Sequence, residues 1–449
     1  MHMFIKPTFS LTSENHTHHT KILFKNSHIV NAKTNLEIKN GFLITSCGII
    51  AEFGEMKDLL KEEGFNEIVD CKGMLLSAGL LDIQVHFRDP GQTHKEDIIT
   101  GSKAAVKGGI TTVVCQPNTS PTLDSTTMLD YLYYKSKAEG YCNVFAYASM
   151  TKGLKGEEMT DMISLAKHPI LVGFTDDGLP VMNAFFMRKA FENSESTGKV
   201  ISQHAEDIIL SNKGCMNEGE TSAKLGVKGI HNLTESLIVE RDIALCKAFG
   251  GSYHVLHIST KQAVEAVRIA KMEGLKVTCE ASPHHLLLDD TEVLKQGTNA
   301  KMNPPLRSKE DVKALQEALF DGTIDAIATD HAPHDKASKE KPLEEATFGI
   351  VGVETMLPLS LKFYHEGKIS LMNLLGLMTH KPAKIIGIDR GSIEKGKVAD
   401  LTLINLNHEW EIKAEEFESK SKNTPFNGWK VKGCAVLTVV AGEIVYKKN

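Results

Sequence analysis

A (β/α)8 barrel carrying a small β-sandwich built from both chain ends is the fold this sequence predicts. Three observations lead there. Strand-like apolar runs alternate with amphipathic helical runs through the middle of the chain, eight times at similar spacing. Residues 21–76 and the last 64 carry β-hairpin patterning instead. Polar, titratable residues collect where the central strands end, and in a parallel barrel that edge is where chemistry sits.

The clearest unit is residues 80–119. Leu80, Leu81, Ile83 and Val85 form an apolar run that ends in His86, Phe87 and Arg88, and Pro90-Gly91 break it. A helical pattern (Ile98, Ile99, Ala104 to Val106) stops at Gly108-Gly109, and Thr111 to Val114 lead to Pro117 and Asn118. The eight expected barrel strands are Leu75–His86, Thr111–Pro117, Asn143–Met150, Ile170–Asp177, Lys199–Glu206, Tyr253–Thr260, Leu275–Pro283 and Ile324–Pro333. Helical runs such as Leu129–Ala138, Glu235–Phe249, Gln262–Lys271 and Asp311–Phe320 separate them. The regular spacing favours a closed barrel over an open doubly wound sheet. The division expected is a disordered leader over 1–20, sandwich strands over 21–76, the barrel over 77–385 and further sandwich strands over 386–449. His16, His18 and His19 lie in the leader, which has no periodicity to order them.

Composition bounds the function. A chain of 449 residues with net charge −6 has ordinary globular proportions and no general affinity for nucleic acid or anionic membrane. The eight cysteines are scattered without a C-x-x-C pair and read as free thiols in a reducing compartment. No apolar run reaches the roughly 20 residues of a membrane span, and no signal-peptide core is present. The cytoplasm is the expected location.

His86, Asp177, His204, His257 and Asp330 fall on strands 1, 4, 5, 6 and 8. Taken singly, each has an ordinary reading as a hydrogen-bonded core histidine or a capping aspartate. Five such groups at one barrel mouth need a cation, because buried ionisable side chains are unfavourable unless paired or ligated. Imidazole with carboxylate suits Zn²⁺ over Mn²⁺ or Fe²⁺.

The motifs VHFRDPGQTHKEDIITGS, QPNT, GFTDDG, QHAED, LHIST, ASPHHLLL, MNPPLR, ATDHAPH, FGIVGVET and SKNTPFNGWKVKG occur in that order. In them the chain resembles the amidohydrolase superfamily, and within it the class I dihydroorotases, from about Lys21 onward. The resemblance implies interconversion of N-carbamoyl-L-aspartate and L-dihydroorotate in pyrimidine synthesis. It implies one or two Zn²⁺ per subunit, a metal-bound hydroxide, and Asp330 as proton carrier. It puts metal on His86, Asp177, His204, His257 and Asp330. Substrate contacts fall to Arg88, Asn118, Asn303, His334 and, through backbone groups, Phe348 and Gly349. GFTDDG offers no lysine for carboxylation, which separates the chain from hydantoinases and allantoinases. The resemblance further implies a homo-oligomer, often a dimer, with aspartate transcarbamoylase as a potential partner.

One position departs from the pattern. The family has H-x-H at strand 1, whereas this chain has Gln84-Val85-His86. Three arrangements are open: Gln84 as an oxygen ligand in a looser two-metal site, a single metal on Asp177, His204 and His257, or a non-catalytic scaffold partnering the transcarbamoylase. Retention of all the other site residues puts the active enzyme first, the scaffold second and another cyclic amidase third. Glu206, Glu280, His284 and His285 are expected behind the site, and His94 to Asp97 are expected to shape the first loop.

Overall fold

A computed structural model describes residues 2–7 and 20–448. The leader histidines His16, His18 and His19 lie outside the described residues.

Six strands precede the barrel: β1 (Met3–Phe4), β2 (Lys21–Asn31), β3 (Leu36–Ser46), β4 (Ile49–Glu55), β5 (Glu67–Asp70) and β6 (Leu75–Ala78). The barrel strands are β7 (Leu80–Val85), β8 (Ile110–Cys115), β9 (Asn143–Ala148), β10 (Leu171–Phe174) and β11 (Val200–Gln203). A short parallel ribbon of β12 (Met216–Asn217) and β13 (Gly229–Ile230) intervenes before the barrel continues with β14 (Tyr253–Val255), β15 (Val277–Ala281) and β16 (Ala326–Ile327). Three strands close the chain: β17 (Leu401–Glu411), β18 (Lys430–Val440) and β19 (Glu443–Lys447).

The barrel sheet runs β16-β15-β14-β11-β10-β9-β8-β7, with every pair parallel. A parallel bridge between Val85 and His331, with the His86 amide donating to the His331 carbonyl at 2.8 Å, joins its two ends. The eight-strand expectation therefore holds, with strands shorter than their apolar runs. The helix Ile98–Lys107 starts where Asp97 accepts from the Thr100 amide, and its Ile98, Ala104, Ala105 and Val106 are buried against the barrel.

The expected strand Leu75–His86 is two strands. Its first half, β6, runs two residues past the division expected at 76/77 and pairs with β2 and β17 in the terminal sheet; its second half, β7, belongs to the barrel. Gly79 is the joint: a Cβ there would lie 2.1 Å from Thr111 Oγ1, so only glycine lets the chain cross from one sheet to the other.

The terminal sheet follows the path β1-β19-β18-β17-β6-β2-β3-β4, with β5 also on β2. Strands from both ends share one core, in which Phe24, Leu43, Ile50 and Leu76 meet Leu401, Leu437, Val439 and Ile444. Met3 and Phe4 lie within the expected disordered leader yet pair with β19, where the Phe4 ring sits 5.3 Å from that of Tyr446. An aromatic anchor supplies the order that periodicity did not signal. The sheet grips the barrel through hydroxyls: Thr438 Oγ1 donates to Val106 O (2.7 Å) and Thr402 Oγ1 to Gly109 O (2.6 Å). Between β17 and β18 the chain leaves the sheet and runs to the barrel mouth. No helix among the described residues is long and apolar enough to cross a membrane.

Candidate active site

The strand ends bring the five expected ligands together. Two groups of donor atoms form: His86, Asp177 and Asp330 in one, Asp177, His204 and His257 in the other, all buried and each within 4.8 Å of its group. Asp177 belongs to both. His86 Nε2 lies 3.0 Å from Asp330 Oδ1 and 3.3 Å from Asp177 Oδ2. His204 Nδ1 faces His257 Nε2 at 2.9 Å, and each lies 3.6 Å from Asp177 Oδ1. Two imidazole nitrogens that close repel unless a proton or cation lies between them.

Neighbouring groups set the tautomers. Asn118 Oδ1, 2.8 Å from His86 Nδ1, accepts its N–H and leaves Nε2 for the cluster. Glu206 Oε2 does the same for His204 Nε2 at 3.0 Å. Burial alone would raise Glu206, but its bonds with His204 and Asn303 pull it down to about 2. Burial likewise opposes charge on His86, yet its bonds to Asp177 and Asp330 lift it to about 9. Asp177 is held well below the usual carboxylate range, against its burial, by His257 and His86.

This donor set fits a divalent metal. It offers two mixed imidazole and carboxylate groups bridged by one aspartate. The buried Gln84 carbonyl oxygen has no hydrogen-bond partner, while its Nε2 donates to Asp177 Oδ2 at 3.3 Å. The amide thus stands beside the shared aspartate through its nitrogen, and its oxygen is left for another partner, such as a cation.

The facing wall is built from loops. Arg88 follows β7; its Nε donates to Pro333 O and its Nη2 to His334 Nε2, both at 3.3 Å. Burial brings the guanidinium down only to about 10, so it stays charged at neutral pH. Burial and the nearby Arg88 push His334 to about 2, so its ring is neutral. With Nε2 accepting from Arg88, the proton of that ring sits on Nδ1, which is buried and has no partner. A charged fork and an unpaired N–H side by side mark a place for an anion.

Arg88, His257 and Asp330 are all non-glycine residues at positive φ (59°, 30° and 47°). Each costs about 1–3 kcal/mol of backbone strain, held by the surrounding structure to aim these side chains inward. Gly178 (φ 97°) also lines the cleft, and a Cβ there would approach Asn118 Nδ2 to 2.8 Å. The reading of the sequence missed this glycine, whose only signal is its place in GFTDDG.

The cleft encloses about 320 Å³ and is lined by His86, Asp177, His204, His257 and Asp330 together with Arg88, Asn118, Asn303, His334 and Phe348. A larger groove of about 640 Å³ beside Trp410 and Trp429 is lined by Lys362, Glu366, Glu409, Glu411, Lys430 and Lys432, whose charges are exposed or half-buried and form no buried cluster. Convergent titratable groups, rather than size, identify the site. Asn303 Nδ2 donates to Glu206 Oε2 at 2.8 Å and approaches His204 Nε2 at 3.2 Å, joining the two walls.

Gly349 follows Phe348 in the chain. It does not line the cleft; its amide donates to Lys301 O (2.9 Å), and its carbonyl accepts from Lys339 Nζ (3.1 Å) and Asn423 Nδ2 (2.9 Å). Its backbone groups hold the loop. His285 Nε2 bonds Pro304 O at 2.8 Å and Glu280 Oε2 lies 3.1 Å from His254, so both serve the scaffold behind the site. Glu96, in the first loop, is buried and accepts from Thr100 and Ser419.

Residues 73–263 match the dihydro-orotase-like family, and residues 247–446 match the amidohydrolase family. A dihydroorotase of Wolbachia sp. subsp. Drosophila simulans (strain wRi) is 52% identical over 430 residues, covering 96% of each chain. One from Ehrlichia canis (strain Jake) is 49% identical over 95% of each, and one from Geobacter sp. (strain M21) is 46% identical over 95% of this chain and 99% of its own. Among solved structures, the L-hydantoinase (dihydropyrimidinase) of Arthrobacter aurescens superposes with a TM-score of 0.84 at 26% identity, covering 95% of this chain and 96% of its own. A barrel mouth with two ligand groups sharing an aspartate, on a chain half identical to these relatives over nearly its whole length, leads to one assignment: the chain belongs to the dihydroorotase family of amidohydrolases.

Proposed function

We propose that the chain is a metal-dependent dihydroorotase that opens L-dihydroorotate to N-carbamoyl-L-aspartate and closes it again. The observation that carries this reading is the pairing of Arg88 with His334 Nε2, which leaves the His334 Nδ1 unpartnered in the same cleft as the ligand cluster. A ring bearing a carboxylate satisfies both, whereas hydantoin and allantoin lack the carboxylate.

His86, Asp177, His204, His257 and Asp330 would hold one or two divalent ions, zinc by the chemistry of the donors, with the Gln84 carbonyl oxygen alongside. Such ions supply Lewis acidity, which acidifies water and polarises a carbonyl. The protein's own groups do the rest. Arg88 and His334 fix the substrate carboxylate, and Asn118 holds the His86 ring in its working tautomer. In ring opening, water oxygen bonds to the ring carbonyl carbon and the bond from that carbon to the ring nitrogen breaks. Asp330 takes the water proton and delivers it to the departing nitrogen; closure reverses each transfer.

One observation favours a second reading. Gln84 in place of the first histidine weakens one ligand position, as in a non-catalytic family member kept as a partner of aspartate transcarbamoylase. The deciding experiment follows loss of dihydroorotate ring absorbance on protein whose metal has been counted. Turnover that Asp330→Ala abolishes supports the enzyme. Folded, zinc-reconstituted protein without turnover moves the scaffold to first place. The expected assembly is a cytoplasmic homodimer, checked by light scattering.

A further inference from the structure

The segment joining β17 to β18 contains the SKNTPFNG motif, which the chemistry above leaves without a role. It lies across the barrel mouth as a strap. Glu354 Oε1 accepts the Glu418 amide (2.8 Å) and the Ser419 amide (3.2 Å), and the Ser419 hydroxyl donates to Glu96. Ser421 Oγ donates to Lys95 O (2.7 Å), and Lys420 Nζ to Thr93 O (2.7 Å). These contacts fix the strap to the loop that follows Arg88. Its far end is Asn423, 4% exposed.

Asn423 spends its polar groups on two other loops. Nδ2 donates to Ala332 O (3.0 Å) and Gly349 O (2.9 Å). Oδ1 accepts the His334 amide (3.2 Å), and the main-chain carbonyl accepts the Val351 amide (3.0 Å). One side chain thus ties residues 332–334, which carry His334 and the Pro333 carbonyl that Arg88 grips, to residues 349–351 beside Phe348. We propose that Asn423, delivered by the terminal sheet, is a positioning residue for the substrate carboxylate: it sets the backbone on which the Arg88–His334 pair is mounted, without touching substrate itself. This rests on the dihydroorotase reading for the identity of the carboxylate, but not for the placement of the loops.

The chemistry makes the residue hard to replace. Alanine strands the Ala332 carbonyl and the His334 amide and leaves the Gly349 carbonyl with Lys339 Nζ alone. Aspartate keeps the acceptor for His334 N–H, but turns a carboxylate oxygen onto two carbonyl oxygens. Either change loosens the anion wall and leaves the metal ligands on their strand ends. A displacement of about 1 Å at such a site lowers effectiveness by roughly 10- to 100-fold.

The test compares wild type with Asn423→Ala, Asn423→Asp and Leu437→Ala; the last opens a cavity in the terminal core, away from the cleft. The expected result is a KM for dihydroorotate raised about 10- to 100-fold in both Asn423 variants, with kcat changed less than about 3-fold. Metal content stays at the wild-type level, and Leu437→Ala shows a lower Tm with normal KM. Backbone hydrogen exchange speeds up over 331–351 in the Asn423 variants alone. An unchanged KM with a lowered Tm, or a joint fall of kcat and metal content, overturns the proposal. If metal-loaded wild type does not turn over dihydroorotate, the activity reading fails; exchange still decides this one, and unaltered exchange over 331–351 in Asn423→Ala overturns it.

Discussion

The two walls of the cleft are built in different ways. The ligand wall is carried on strand ends: His86 follows β7 directly, His204 follows β11 directly, and Asp177 stands three residues past β10. Its side chains satisfy one another or a cation. The anion wall is carried on loops whose carbonyls are captured by residues from elsewhere: Asn423 on Ala332 and Gly349, Lys339 on Lys301, Thr347 and Gly349, and Lys301 on Leu343 and Glu344. The difference teaches that, on the proposed function, the barrel would supply the reacting groups while tertiary hydrogen bonds would supply the substrate's orientation. Damage to the first wall should therefore appear in kcat and metal content, and damage to the second in KM.

The largest expected break is Asp330→Asn, which keeps the shape but removes the carboxylate proposed as proton carrier. It should lower kcat by about 10²- to 10⁴-fold, measured on protein matched for metal. Next is Arg88→Met, on the other wall. Losing a charge-assisted fork should raise KM about 10- to 100-fold while bound metal stays constant. A kcat loss with normal KM would contradict the division of labour.

Gln84→His sharpens the comparison from the ligand side. An imidazole nitrogen in place of the amide oxygen should slow metal loss to a chelator, with KM within about 3-fold of wild type. Faster metal loss would mean that Gln84 does not face the metal.

The smallest effect concerns acid. Burial lowers His254 and His285 to about 3 and pushes His284 well down. Such rings bind fewer protons folded than unfolded, where the pKa is about 6.5. Their contribution to stability is full above that value and declines as pH falls toward 3. The urea midpoint should drop between pH 7 and 5 and drop less in His285→Gln, which can keep a donor for Pro304 O. A flat wild-type profile would sink the idea.

This contrast also explains what could be read in advance. The ligand wall was legible because strand periodicity places His86, His204 and Asp330 at ends that a barrel must gather. The anion wall was legible only as single residues, and the partners of Gly349 were not legible at all. Its amide and carbonyl are spent on Lys301, Lys339 and Asn423, and no local pattern around residue 349 signals a partner more than 70 positions later. Gly79 was hidden for a similar reason: β6 and β7 are both apolar, and only the side chain of Thr111, packed against the glycine, divides them. Met3 and Phe4 were read as leader because a two-residue strand has no period.

The weaving of the terminal sheet has a consequence for synthesis. β6 lies between β2, made just before it, and β17, whose Leu401 pairs with Ala78 across 323 positions of sequence (401 − 78). At about 5–20 residues per second, ribosomes take roughly 15–65 s to supply that neighbour. Through that interval β6 presents an unpaired edge while the whole barrel emerges. That edge is open to pairing with other chains until β17 arrives, and slowing elongation should raise aggregation through β6 before it affects the barrel.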